Sequence, residues 1–127
     1  MVQDHPNISL LERLDPSDLA SSTELFSEDV VFHYFNSELP DLNGDYVGVA
    51  GIRTFFETLG QKTAGTFKVT PVSATAVGDE LVVTQTRNTL TLEGEAIAID
   101  VVVVWRFING RIAEVWDIPS VYTQARA

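Results

Sequence analysis

Apolar positions along this chain change repeatedly between helical spacing and strand spacing, and each change marks the start of a new element. From Ile8 to Leu14 they recur at helical spacing, and Asp15-Pro16 then reads as an N-cap followed by proline at the first helical position. Two short helices are expected, the second running from about Pro16 toward Phe26 with Leu19, Leu25 and Phe26 turned inward. "EDVVFHYF" shifts to β-branched and aromatic residues, which predicts a strand from about Val30 to Phe35. "NSELPDLNGDYVG" is dense in Asn, Asp, Gly and Pro and reads as a loop. In "GVAGIRTFFETLG", Ile52, Phe55, Phe56 and Leu59 stand at i, i+3, i+4 and i+7, so a third helix presents one apolar stripe, and Gly60 is placed to end it.

From Thr66 onward the pattern predicts strands near 66–77, 80–92, 95–107 and 111–119. Gly78-Asp79, Glu93-Gly94 and Asn109-Gly110 separate them as hairpin signals, so sequential antiparallel pairing is expected. The fold class is α+β: three helices on one face of a strongly curved antiparallel sheet, forming one domain over residues 1–127. Helices on the concave side of a bent sheet leave a cone-shaped interior, suited to a small apolar molecule. Strands such as "AIAIDVVVVWRF" are apolar on both faces, and antiparallel sheets commonly keep one wet face. The extra apolar face predicts burial against a second copy, a homodimer.

Composition narrows the partners. Eight Lys and Arg against eighteen Asp and Glu give a net charge of -10, which disfavours nucleic acid and anionic membrane surfaces. The basic residues are scattered rather than striped. There is no cysteine, so disulfides, thiolate nucleophiles and cysteine metal sites are excluded. No basic leader and no apolar run of about 20 residues is present, and a soluble, cytoplasmic protein is expected.

The candidate chemistry centres on "INGRIAEVWD", where Asp117 stands among apolar neighbours. A two-residue turn at Asn109-Gly110 would set Arg106 opposite Ala113, Trp105 opposite Glu114 and Val102 opposite Asp117. A three-residue turn with a bulge at Gly110 would set Val103 opposite Val115, Trp105 opposite Ala113 and Val101 opposite Asp117. The second register gathers Val101, Val103, Trp105, Val115 and Asp117 on one face and sends Arg106, Glu114 and Trp116 to the other. It is therefore preferred, with Asp117 in the pocket as a desolvated general acid or base. The alternative for Asp117 is a structural bond to a backbone N–H or to Arg87.

His33 is the candidate titrating partner, with Tyr34 as its rival, since strand alternation lets only one of the two face inward. His5, in the N-terminal tail, is assigned no role. Phe55, Phe56 and Trp105 are candidate ligand-lining aromatics alongside Val101, Val103 and Val115. Two histidines without cysteine give no metal-ligand spacing, so no metal is expected, and neither Gly-containing stretch has phosphate-loop context, so both read as turns.

In order along the chain, "LFSEDVVFHYF", "LNGDYVGVAGIRTFFETL", "GTFKVTPVSATAVGDELVV" and "VVWRFINGRIAEVWDI" resemble the SnoaL-like family of the NTF2-like superfamily, which also includes ketosteroid isomerase. The resemblance implies a cone-shaped barrel with a pocket at its open end, a dimer, and no required cofactor. In ketosteroid isomerase a carboxylate moves a proton on carbon while a tyrosine and a protonated carboxylic acid donate hydrogen bonds to the enolate oxygen. Laid over this sequence, the base falls on Tyr34, with His33 just before it, and the donating acid falls on Val103. Both acids are missing. The resemblance, joined to the strand register, gives a cavity expected to bind a small, mostly apolar molecule, with isomerase, cyclase or hydratase chemistry through Asp117 and His33 or Tyr34. A non-catalytic ligand-binding or dimerisation module is the alternative.

Overall fold

The computed structural model describes residues 5–14, 23–36, 40–120 and 123–124, the last pair by backbone alone. Helix α1 spans Pro6–Glu12. His5 is its N-cap: the Nδ1 atom accepts from the Asn7 backbone N–H at 3.1 Å, and Pro6 enters the helix with its φ already set. The tail histidine therefore has a structural role that sequence reading missed. Residues 15–22, where most of the second helix was expected, lie outside the described residues. Its described end, 23–25, is a 3-10 turn, and strand β1 (Phe26–Tyr34) begins at Phe26. Two α-helices, not three, are found among the described residues.

The Asn- and Gly-rich stretch is more ordered than expected. Pro40–Leu42 forms a 3-10 turn and Gly44–Val47 forms strand β2, antiparallel to β1 with His33 opposite Asp45. Its Gly-Asp start hid it; an edge strand tolerates such residues because only one side of its backbone is paired. Helix α2 (Gly48–Lys62) buries Ile52, Phe55 and Leu59 and leaves Phe56 half-buried. It passes through Gly60. The stop comes at Ala64 and Gly65, whose φ angles of 52 and 76 turn the chain back so that the Gly65 N–H meets the Gly60 carbonyl.

Strands β3 (Lys68–Val77), β4 (Leu81–Leu92), β5 (Glu95–Ile108) and β6 (Arg111–Pro119) form the expected antiparallel meander. The short strand β7 (Thr123–Gln124) pairs with β5 beyond the end of β6. Sheet order is β2-β1-β6-β5-β4-β3. Because β1 lies parallel to β6, with Tyr34 beside Asp117, the sheet is mixed rather than wholly antiparallel.

The β5–β6 register differs from both sequence alternatives. Asn109 and Gly110 (φ 53 and 78) make a two-residue turn, and Ile108 pairs with Arg111. Phe107 then pairs with Ile112 but Arg106 with Glu114, so Ala113 is an extra residue bulged out of β6. Ile112 and Val115 explain the bulge: both are 0 % exposed although three residues apart, and regular alternation would put one of them in water. Beyond the bulge Trp105 faces Val115, and Val103, not Val101 or Val102, faces Asp117. The inward face is nevertheless the expected one. Val30, Phe32, Ile52, Phe55, Val101 and Val115 join in a single core between the sheet and α2, and Ile8 of α1 belongs to it. Further irregularities in β1 and at Pro71/Ser73 of β3 add to the bending of the sheet.

Candidate functional site

The inward residues of the sheet, together with α1 and α2, line a partly open cavity of about 700 Å³. That volume lies in the range of small-molecule sites. Its wall is mainly apolar: Ile8 and Leu11 from α1, Phe56 from α2, Phe67 before β3, and Val103, Trp105 and Val115 from the floor. Polar groups come from β4, with Thr84, Thr86 and Asn88, and from β6, with Asp117. The Trp105 indole N–H donates to Thr84 Oγ1 at 2.9 Å, which fixes the ring against the wall. The β4 residues were not singled out from sequence, although a signal existed. In "VVTQTRNTL" the alternation places Thr84, Thr86 and Asn88 on the same face as buried Val82 and Leu90.

Asp117 reaches this cavity and also borders a smaller void of about 30 Å³ lined by Tyr34, Phe55, Asn88 and Val101. Desolvation pushes its carboxyl up to about 7 from the ordinary 3.8. Among the described residues no charge or hydrogen bond offsets that burial. The expected structural alternative does not hold: Arg87 pairs with Asp100 at 3.1 Å instead.

The other sequence candidates divide between the two faces of the sheet. Phe56, Val103, Trp105 and Val115 line the large cavity. Phe55 (1 % exposed) and Val101 (2 %) belong to the core and touch only the small void. Tyr34 points inward: its ring packs 4.6 Å from that of Phe55, and its hydroxyl accepts from Asn36 Nδ2 at 3.1 Å.

His33 points the other way, which corrects its placement beside Asp117. Phe32 and Tyr34 take the inward positions, so alternation turns His33 to the outer face. There Nδ1 and Nε2 each lie 2.7 Å from a carboxylate, Asp45 and Glu114, and the ring stacks on Trp116. Burial opposes its protonation, but the hydrogen bonds and charges of Glu114 and Asp45 outweigh it and raise the pKa above 6.5. Only the imidazolium can donate to both carboxylates at once. Arg106 extends the group, 3.0 Å from Glu80 and 5.6 Å over the Trp116 ring.

Among the described residues no group of three or more His, Cys, Asp or Glu is placed to hold a metal ion. Among them, too, no helix is long and apolar enough to cross a membrane.

A bent mixed sheet, helices over one face and an apolar cavity with an inward carboxyl define an NTF2-like α+β protein. The family model for the SnoaL-like domain matches residues 9–115, and the chain belongs to that family. Among solved structures it is similar to Bal32a, from a soil-derived mobile gene cassette, at 26% identity and a TM-score of 0.79, over 91% of this chain and 90% of that one. An NTF2-like protein of unknown function from Burkholderia pseudomallei is 22% identical at a TM-score of 0.78, over 90% of both chains. TerC, co-crystallised with polyporic acid, is 21% identical at a TM-score of 0.77, over 91% of this chain and 92% of that one. No protein of curated function matches the chain.

Proposed function

We propose that the cavity binds a small, mostly apolar molecule and that Asp117 acts on it as general acid or base, the chemistry of isomerisation, cyclisation or hydration. The observation that carries this reading is a carboxyl held near pKa 7 at the wall of an apolar cavity of about 700 Å³. Such a group is partly protonated at neutral pH and can either give or take a proton there. Tyr34, whose hydroxyl sits on the same side of the sheet, is the second polar contact, and His33 has no part in the reaction. The two-acid arrangement of ketosteroid isomerase is replaced by this single acid, since Val103 and Tyr34 occupy the matched positions. TerC shares the fold and was co-crystallised with polyporic acid, which supports ligand binding as the use of the cavity. A second copy packed on the outer sheet face completes the reading, supported by exposed Val102 (40 %) and Ile118 (54 %) on paired strands.

The test is a thermal-shift screen at pH 7 of wild type and Asp117→Asn against apolar ketones, epoxides and polycyclic phenols, followed by turnover of the compounds that bind. Wild type should be stabilised by at least one class, because a ligand of the native state raises its melting temperature. Turnover of that compound should fall about 100-fold or more in Asp117→Asn, the usual scale of a lost general acid or base. Turnover within a few-fold of wild type would remove Asp117 from the chemistry.

A further inference from the structure

Asn88 on β4 is 8 % exposed and borders both the cavity and the small void that Asp117 also borders. Thr86 Oγ1 donates to its Oδ1 at 3.0 Å. With the amide so placed, Nδ2 is a donor with no acceptor among the described residues. Yet among those residues no fully buried side-chain nitrogen or oxygen lacks a partner, so Nδ2 is not sealed in the wall. It opens onto the space beside it. The void measures about 30 Å³, the room of one water molecule or one projecting oxygen atom. Apart from Tyr34 and Asp117, its remaining wall is apolar, with Phe55, Leu59, Leu90 and Ile99. A donor at such a place is costly to leave unmatched when a dry ligand displaces solvent, and an acceptor on the ligand removes that cost.

We propose that Asn88 is the specificity-determining residue of this cavity: its Nδ2 donates to the carbonyl oxygen of a flat apolar ligand, seated in the small void beside Asp117. The inference rests on the reading that the cavity binds an apolar molecule. Thr86 is the positioning residue, holding the amide so that its N–H side faces inward. Carbonyl compounds are preferred over hydrocarbons of the same shape, and the carbonyl end lies next to the one acid able to exchange a proton with it.

The probes are 9-fluorenone and fluorene, one three-ring skeleton with either C=O or CH2, with binding followed by quenching of tryptophan fluorescence, since Trp105 lines the cavity. Wild type should bind fluorenone about tenfold more tightly than fluorene, the worth of one hydrogen bond. In Asn88→Ala the ratio should fall to within about twofold while fluorene still binds. Thr86→Val, which frees the amide to rotate, should give an intermediate ratio and carries the test if Asn88→Ala does not fold. Equal binding of the two probes to wild type, or a tenfold ratio that survives in the folded variants, overturns the role of Asn88 and leaves the cavity reading standing. Failure of wild type to bind either probe overturns both.

Discussion

Asp117 and His33 sit on opposite faces of the sheet, and both make stability depend on pH with the same sign. The Asp117 carboxyl lies near 7 in the fold against 3.8 ordinarily, so the folded chain holds a proton that the unfolded chain releases. Its contribution is fully present below about pH 4 and is lost as pH rises through 7, by at most about 4 kcal/mol, less where water enters the cavity. His33, raised above 6.5 by two carboxylates, contributes below pH 6.5 and loses that contribution as pH rises through its folded value. Denaturant unfolding at pH 4, 5.5, 7 and 8.5 should therefore show wild type losing stability relative to Asp117→Asn between pH 4 and 7. His33→Gln should be less stable than wild type below pH 6.5 and converge with it at higher pH. A difference between wild type and Asp117→Asn that stays constant across the range would mean the carboxyl is not desolvated.

At the scale of elements, periodicity made the long pieces legible. The stripe Ile52, Phe55 and Leu59 located α2, and the three glycine-containing turns located β3 to β6. What stayed hidden depends on tertiary pairing. Strand β2 carries turn-forming residues because it is an edge, and β1 is parallel to β6, a long-range partnership that no local spacing encodes. The Ala113 bulge is set by the need to bury both Ile112 and Val115, although its effect on the faces matched the preferred reading. The candidate site was legible where it follows alternation, as for Asp117, Trp105 and Val103. It failed for His33 because two neighbouring ring-bearing residues compete for one inward position, and the packing of Phe55 against Tyr34 decided the choice. Asn88 and Thr86 escaped attention because polar residues in a strand read as its wet face, whereas here they are the polar part of the cavity wall.

For the molecule as a whole, the two faces of the sheet have different uses. The inner face leaves room that its own side chains do not fill; the outer face pairs Val104 with Trp116 and Val102 with Ile118, apolar contacts ringed by the ion pairs of Arg87 and Arg106. A net charge of -10 opposes non-specific association, so the proposed contact between copies rests on this apolar band. Light scattering should give a dimer mass for wild type at micromolar concentration and a monomer mass for Ile118→Lys, with the thermal response to cavity ligands retained. A wild-type monomer mass would set the outer face aside as an interface. The acid–base chemistry proposed for the inner face depends on the state of one carboxyl, and 13C NMR titration of the side-chain carboxyls observes it without any ligand. One resonance should titrate near pH 7 in wild type and be absent in Asp117→Asn. If every carboxyl titrates below about pH 5, Asp117 is solvated and cannot serve as the acid or base of this cavity.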